Sequence, residues 1–271
     1  MKEFFSVILH CLPGLFLMLL FIWWDGALRD VRENSKNNEF LAVNQFTIIE
    51  NNRNRRPDII IFINGLPIAI IELKNPADEK ATIESAYRQL QTYKDQIQTI
   101  FNYNEILVIS DGTYAQAGTL TSPQEWFLPW KTIDGKDTAP KSLPQLQVLL
   151  EGMFKKEILV DLIKYFVTFT KEKKQISKIL AGYHQYYATN KAIRKTLSAI
   201  KGNGKAGIVW HTQGSGKSLT LAFYSGKLQQ QEEFNNPTLV ILSCFVSHIN
   251  FSTISCCPSE WRCICNTRRR N

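Results

Sequence analysis

The sequence predicts an α/β protein in two parts: a mixed sheet flanked by helices, then the start of a parallel sheet that carries a phosphate-binding loop. Three observations predict this fold class. Asn64-Gly65, a strong two-residue hairpin signal, separates two apolar, strand-like runs. Apolar residues at three- and four-residue steps then predict a helix over 78–97. Near the C-terminus, a strand-like run, a glycine-rich loop and another helical pattern follow one another, as at the start of a parallel sheet.

Each element is predicted from its local pattern. Runs rich in β-branched and aromatic residues predict strands at 40–50, 59–63, 67–74, 105–110, 206–210 and 237–243. Apolar periodicity predicts helices at 78–97, 146–170, 176–200 and 217–231. Polar, proline-containing or charged stretches predict a turn at 51–56, a long surface connection at 121–143 and a charged joint at 171–174.

Composition sets broad limits on the function. The 271 residues, 44% apolar and 21% charged, have room for one large domain or two ordinary ones and argue against disorder. The formal charge is +8; four arginines after Glu260, less that glutamate, account for +3, which leaves +5 for the rest. This mild basic bias permits contact with nucleic acid but does not establish it.

The two ends of the chain differ from its middle. Cys11 stands near the start and five cysteines lie after residue 243, so the long cysteine-free middle favours a reducing, cytoplasmic compartment. The adjacent Cys256-Cys257 and the CxC pair fit zinc spacing poorly, although zinc remains the alternative to an atypical Cys/Arg tail at 244–271. Residues 4–24 are long and apolar enough for a membrane span; the alternatives are a buried segment or residues foreign to the following domain.

The first candidate site is a pair of acids with a lysine. Side chains alternate along a strand, so Glu72 and Lys74 project from one face, and the hairpin brings Asp58 beside them. The two carboxylates, Asp58 and Glu72, could hold Mg²⁺ against a scissile phosphate, with Lys74 orienting or deprotonating the attacking water. Gln89 and Tyr93 lie one turn apart on the next helix, on adjoining surface. The alternative is an ordinary hairpin with surface acids, a core tyrosine and a solvated glutamine.

The second candidate site is a phosphate loop. It comprises His211, Thr212, Gln213, Gly214, Ser215, Gly216, Lys217 and Ser218. Glycines free the backbone N–H groups to curl around phosphates, Lys217 would reach the β/γ-phosphates of ATP, and the Ser218 hydroxyl would ligate Mg²⁺. Gln185, ahead of the loop, is a candidate for contacting adenine, although a polar glutamine on a helix needs no such role.

These residues together resemble the restriction (R) subunit of type I restriction–modification enzymes. The matching segments are Val43 to Phe46, Arg55 to Asp58, Asn64 to Pro67, Ile71 to Asp78, Gln89 to Lys94, Gly182 to Asn190 and Val209 to Leu219. The resemblance implies a PD-(D/E)xK nuclease domain at 37–145, a helical connection at 146–174 and the start of a RecA-like, superfamily 2 helicase-like motor at 175–243, after an apolar segment at 1–36. It also implies that Asp58, Glu72, Lys74, Gln89 and Tyr93 are catalytic and that the phosphate loop binds ATP.

In that family the subunit works with methyltransferase (M) and specificity (S) subunits, moves double-stranded DNA with ATP and cleaves unmodified DNA. This chain departs from the pattern: His211 replaces the first loop glycine, no DExx motif follows the loop, and a second motor lobe does not fit. We therefore expect a fragment of such a subunit that does not turn over ATP by itself. The alternatives are a non-catalytic module that docks on DNA or on the M–S complex, and a membrane-tethered protein held by residues 4–24.

Overall fold

The structure, a computed structural model, describes residues 37–75, 82–172, 175–212, 214–234, 237 and 239. Several predicted features lie outside these residues: the apolar segment, the first residues of the helix predicted at 78–97, Gln213, most of the strand predicted at 237–243, and the tail. Within the described ranges, no helix has the length and apolarity needed to cross a membrane.

The described chain forms one five-stranded mixed sheet, two separate hairpins and five helices. The strands are β1 (Phe40–Asn44), β2 (Ile48–Glu50), β3 (Arg53–Arg55), β4 (Ile59–Ile63), β5 (Leu66–Leu73), β6 (Ile106–Ser110), β7 (Ala115–Gly118), β8 (Val167–Glu172) and β9 (Gln175–Leu180). The helices are α1 (Ile83–Gln96), α2 (Gln145–Met153), α3 (Lys156–Tyr165), α4 (Tyr183–Ile200) and α5 (Lys217–Gln229). Short 3-10 helices lie at Gln98–Phe101, Gln124–Trp126 and Glu232–Phe234. The mixed α/β class predicted for the first part is therefore confirmed.

The sheet runs in the order β1-β4-β5-β6-β7 around the predicted hairpin. Asn64 and Gly65 join β4 to β5 with φ values of 51° and 79°, the left-handed pair that a two-residue turn between twisted strands requires. β5 then pairs in parallel with β6, and α1 lies in the crossover between them, as a parallel connection demands. The sequence prediction of this hairpin and of the strand after α1 is confirmed.

The strand predicted at 40–50 is too long, because the extended backbone is interrupted at Gln45. That residue has a φ of 50°, which ends β1 and starts a separate hairpin of β2 and β3. The turn of this hairpin is confined to Asn51 and Asn52, both with positive φ, so only part of the turn predicted at 51–56 is a turn. Asparagine tolerates the left-handed conformation better than other residues with a side chain.

The long helices predicted at 146–170 and 176–200 are also wrong at their junction. The first is two helices, α2 and α3, and the second begins only at Tyr183. Between them, β8 and β9 form an antiparallel hairpin that pairs Val167 with Leu180 and includes Lys171 and Glu172 of the joint predicted at 171–174. The alternation of β-branched and polar residues in these two runs suits paired strands. The helix prediction failed because short apolar runs fit the 3.6-residue period of a helix as well as the two-residue period of a strand.

The connection predicted as surface at 121–143 is partly buried, and β7 before it was not predicted. Phe127 and Trp130 are almost completely buried, and Leu128 makes an isolated bridge with Ala117 of β7. Phe127 and Trp130 therefore belong to the core, whereas Trp126 is 52% exposed. Burial of these two large rings removes apolar area from water and so stabilises the connection. The prolines and polar residues around them predict a surface loop.

The strand predicted at 206–210, ahead of the phosphate loop, is not present. These residues have no ladder partner in the described ranges, and Ile208 and Trp210 are 71% and 66% exposed. A strand needs a neighbouring strand to satisfy its backbone hydrogen bonds. The strand predicted at 237–243 would belong to the same sheet, but most of it lies outside the described residues. The parallel sheet of the second part thus stays a prediction.

Two apolar clusters cover the two faces of the sheet. One packs Ile60, Ile70 and Leu107 against Leu90 and Tyr93 of α1. The cluster on the other face extends much further along the chain and includes Ile71, Val108, Leu149, Phe166, Tyr186 and Phe223. α4 and the start of α5 therefore pack onto the same body as the sheet, and the domain limits at 145 and 175 stay predictions.

Candidate active site

The sheet register places the two acids side by side. Ile59 pairs with Ile71 in the antiparallel ladder of β4 and β5, so Asp58 lies across from Glu72. Residues directly opposite each other in such a ladder point to the same face. That face is the one covered by α1, because Ile60 and Ile70, two residues further in on each strand, both pack in the α1 cluster.

Asp58 is fixed by hydrogen bonds from two segments. The Leu73 N–H donates to Asp58 Oδ2 at 2.8 Å, and Gln45 Nε2 donates to Asp58 Oδ1 at 2.7 Å. The Gln45 N–H also donates to the Asp58 carbonyl at 2.9 Å. The first bond ties the carboxylate to the strand that carries Glu72. Sequence reasoning assigned no role to Gln45; its place in one of the matching segments was the available signal.

Glu72 is a buried carboxylate with one free oxygen. It is 3% exposed, Lys74 Nζ donates to its Oε1 at 2.7 Å, and its Oε2 is buried with no hydrogen-bond partner in the described part of the chain. Burial raises the pKa of the Glu72 carboxyl above its usual range; the Lys74 ammonium opposes this shift and the charge of Asp58 adds to it. As the predicted alternation requires, the Glu72 carboxylate and the Lys74 ammonium lie on the same face and are in contact.

Tyr93 of α1 lies beside Glu72. Its ring is buried, and its hydroxyl donates to the Arg56 carbonyl at 3.4 Å. Burial, and then the negative charge of Glu72, raise the pKa of Tyr93 above its usual range, while the side chain of Gln89 opposes the shift. Tyr93 is therefore a neutral donor at physiological pH; it lies beside Glu72, and Gln89 lies beside Tyr93.

The donor set fits a divalent cation. Two carboxylates meet at one end of a strand pair, and one of their oxygens is buried without a partner, which is costly unless something positive binds it. Mg²⁺ in proteins is often held through one or two carboxylates together with water and substrate phosphate. Asp58 and Glu72 would hold it here; no group of three or more His, Cys, Asp or Glu ligands occurs among the described residues.

The predicted phosphate loop lies at the start of α5. Gly214 and Gly216 have φ values of 79° and 77°, and Gly216 is the N-cap of the helix that Lys217 begins. Ser218 is exposed in the first turn. The backbone N–H groups at a helix start suit a phosphate. Gln213 of this loop lies outside the described residues.

Residues of α4 hold the back of the loop. Gln185 is 5% exposed; its Oε1 accepts from the Gly182 N–H at 2.9 Å and its Nε2 donates to the Gly216 carbonyl at 3.2 Å. The Ser215 hydroxyl lies 3.3 Å from His211 Nδ1. Burial lowers the pKa of His211 below its usual range. Gln185 is thus bonded to the loop backbone, and contact with adenine stays a prediction.

The residues of the first site lie within a segment that matches a known family. Residues 28–126, which include Asp58, Glu72, Lys74, Gln89 and Tyr93, match the family model of the type I restriction enzyme R protein N terminus. The N-terminal part of this chain belongs to the type I restriction enzyme R protein family. A second family model, the SWI2/SNF2 ATPase, matches residues 184–243, which include Gln185 and the phosphate loop.

Curated relatives of the R protein family cover most of the chain. The type I restriction enzyme HindI endonuclease subunit of Haemophilus influenzae is 46% identical over 218 residues, which are 78% of this chain and 21% of that protein. The MjaIXP endonuclease subunit of Methanocaldococcus jannaschii is 37% identical over 235 residues, 78% of this chain and 22% of that protein. This R protein chain thus spans about a fifth of the length of the relatives it matches.

Proposed function

We propose that this R protein chain carries the nuclease centre of a type I restriction endonuclease and hydrolyses phosphodiester bonds of double-stranded DNA with Mg²⁺. The observation that carries the proposal is the buried Oε2 of Glu72, which has no hydrogen-bond partner among the described residues; Glu72 lies beside Asp58, on the strand that also places Lys74. An ordinary surface hairpin has no reason to bury a carboxylate in this way. Family membership supports the same reading.

Each side chain has a separate task in this proposal. A bound Mg²⁺ would supply an activated water and stabilise the charge that grows on the phosphate. Asp58 and Glu72 hold the cation, and the hydrogen bonds from Leu73 and Gln45 keep the Asp58 carboxylate turned towards β5. Lys74, at the partly exposed end of the strand, orients the attacking water or helps to deprotonate it.

Gln89 and Tyr93 act as positioning residues. Both lie on α1, which packs on the face of the sheet that carries the acids. The neutral Tyr93 hydroxyl, which donates to the Arg56 carbonyl, restrains the backbone that leads to Asp58 without adding charge beside Glu72. Such support matters because catalytic groups must be held to within a fraction of an ångström of their productive geometry.

We further propose that the phosphate loop binds ATP with Mg²⁺ through Lys217 and Ser218. The left-handed glycines and the helix start support phosphate binding, and the match to an ATPase family supports the nucleotide. In a protein of the relatives' full length, ATP would drive the cleavage of unmodified DNA together with M and S subunits.

A plasmid-nicking assay with Mg²⁺ tests the nuclease. Wild-type protein is compared with Asp58→Ala and Lys74→Ala, and with Asp95→Ala, which removes an exposed acid on the same helix as Tyr93. The first two variants should lose at least ~100-fold in rate, the size typical of losing a group that acts on the transition state. Asp95→Ala should retain the wild-type rate. Equal nicking by all four proteins would remove the assignment.

A further inference from the structure

The β2–β3 hairpin is a basic projection next to the carboxylate pair. Its second strand ends at Arg55 and runs directly into Arg56-Pro57-Asp58. Asn51 and Asn52 form its tight turn with φ values of 49° and 59°, a conformation that matches the twist of the strands. The hairpin therefore lies within a few residues of a proposed metal ligand.

Contacts with α1 and the 3-10 helix after it hold the hairpin in place. The Thr99 N–H and hydroxyl both donate to Glu50 Oε2, at 3.2 and 2.7 Å. Arg55 Nε donates to Gln96 Oε1, and Ile48 packs against the apolar cluster under α1. Because both strands are anchored, the outer residues of the hairpin have defined positions relative to the acids.

Arg53 and Arg56 carry charge that this anchoring does not use. Both side chains are exposed, and in the ranges that the structure describes neither has a carboxylate within ion-pair distance. Glu50 lies opposite Arg53 in the ladder, but its Oε2 is occupied by the two bonds from Thr99. The Arg56 carbonyl accepts from Tyr93, which places the backbone of Arg56 at the edge of the candidate active site.

We infer that this hairpin contacts the phosphate backbone of duplex DNA beside the scissile bond, an inference that rests on the proposed nuclease function. Arg53 and Arg56 bind phosphates with their forked donors, and the amides of Asn51 and Asn52 add further donors. Two fixed cations offset the repulsion between the carboxylate pair and the DNA backbone. Contacts of this kind position a strand without reading its sequence.

DNA binding in EDTA tests the inference, because neither a metal ion nor cleavage contributes there. Fluorescence anisotropy with a labelled duplex of about 20 base pairs, a span that covers several phosphate contacts, compares wild type with Arg53→Gln/Arg56→Gln. The variant should bind about 10-fold more weakly, and its slope of log affinity against log salt should fall by about 2. The matched control, Lys131→Gln/Lys141→Gln, removes the same charge from two other exposed positions and should change the affinity less than about twofold.

The outcomes separate this inference from the nuclease proposal. Affinity and salt slope equal to wild type, or an equal loss in the lysine control, would overturn the hairpin contact even if the protein nicks DNA. Loss of binding in the arginine variant stands even if nicking fails. Arg53→Lys/Arg56→Lys, which keeps the charge and the fold, should retain the salt slope; a slope reduced as in the glutamine variant would contradict phosphate contact.

Discussion

Lys74 Nζ donates to one oxygen of Glu72 at 2.7 Å, while the other oxygen of the same carboxylate is buried without a partner in the described chain. This asymmetry defines the candidate site. The ammonium offsets part of the cost of burial, and the negative charge of the neighbouring Asp58 adds to that cost. A group arranged in this way destabilises the protein at neutral pH unless a cation binds, which is typical of sites kept for function rather than stability.

Glu72→Gln should therefore stabilise the metal-free protein by about 1 kcal/mol at pH 7, within the usual range for relieving a strained functional site. Because burial raises the folded-state pKa of Glu72 above its unfolded value, the folded state holds the proton longer. Wild-type stability should thus fall as pH rises from the ordinary carboxyl range through the raised pKa. The variant should lack this component, and the two should converge in acid.

Urea unfolding in EDTA across pH 4 to about 8 measures the difference, with the range set by the ordinary glutamate pKa of about 4.3. Glu39→Gln, which replaces an exposed glutamate just ahead of β1, is the matched control and should leave the profile unchanged. A Glu72→Gln protein that is less stable than wild type at neutral pH would show that the surroundings stabilise the Glu72 charge. That result would contradict the claim that this buried charge destabilises the metal-free protein.

Tyr93→Phe should destabilise the protein by about 1 kcal/mol, because the Arg56 carbonyl loses the hydrogen bond that the Tyr93 hydroxyl donates. Tyr114→Phe removes a hydroxyl from an exposed ring and should stay within about 0.5 kcal/mol of wild type. Chemical denaturation of the three proteins provides the comparison. Equal stability of all three would mean that Tyr93 does not restrain the site.

The strands that carry the acids were predictable from the sequence because their signals are local. Asn64-Gly65 predicts the hairpin, and the alternation of Glu72 and Lys74 predicts that they share a face. The repeat that includes Leu90 and Tyr93 correctly predicted which side of α1 is buried. These features depend on turn chemistry and on side-chain period, both of which can be read from a short window. A one-residue register shift between Ile61 and Phe62, which the sequence did not predict, is what places Asp58 opposite Glu72.

Other features depend on contacts between distant segments and could not be predicted in this way. The hydrogen bond from Gln45 to Asp58 requires a left-handed residue at the end of β1. Val167 and Leu180 pair across a hairpin although each run alone also fits a helical period. Trp130 is buried because α2 packs over it, which composition around the residue does not indicate.

The burial of this connection can be tested at Gly152. An added Cβ there would collide with the Thr132 carbonyl and stand 2.6 Å from Trp130 Nε1, so Gly152→Ala should destabilise by about 1–3 kcal/mol. Gly226→Ala, in α5 with open space around the added Cβ, should instead stabilise by about 0.4–1 kcal/mol. Thermal unfolding measures both. A Gly152→Ala protein as stable as Gly226→Ala would contradict the packing of the connection under α2.

Gly216→Ala should weaken nucleotide binding by the loop. The residue has a φ of 77°, and its added Cβ would collide with Gln185 Nε2, which is itself bonded to the loop backbone. Gly204→Ala has the same backbone strain, with a φ of 75°, but meets no atom within 4 Å. We expect at least ~10-fold weaker binding of a fluorescent ATP analogue, equivalent to about 1.4 kcal/mol, for the first variant only. Equal loss in both would assign the effect to general destabilisation.

The pairing of Asp58 with Glu72 around one cation is tested most directly by calorimetric titration of Mn²⁺, a hard-ligand substitute for Mg²⁺, into the purified protein. The wild type should bind one ion at this site, and Asp58→Asn/Glu72→Gln, which preserves side-chain shape while removing both negative charges, should lose that binding. Asp95→Asn should bind as wild type does. Equal Mn²⁺ binding by the wild type and the double variant would show that the two carboxylates do not form the metal site.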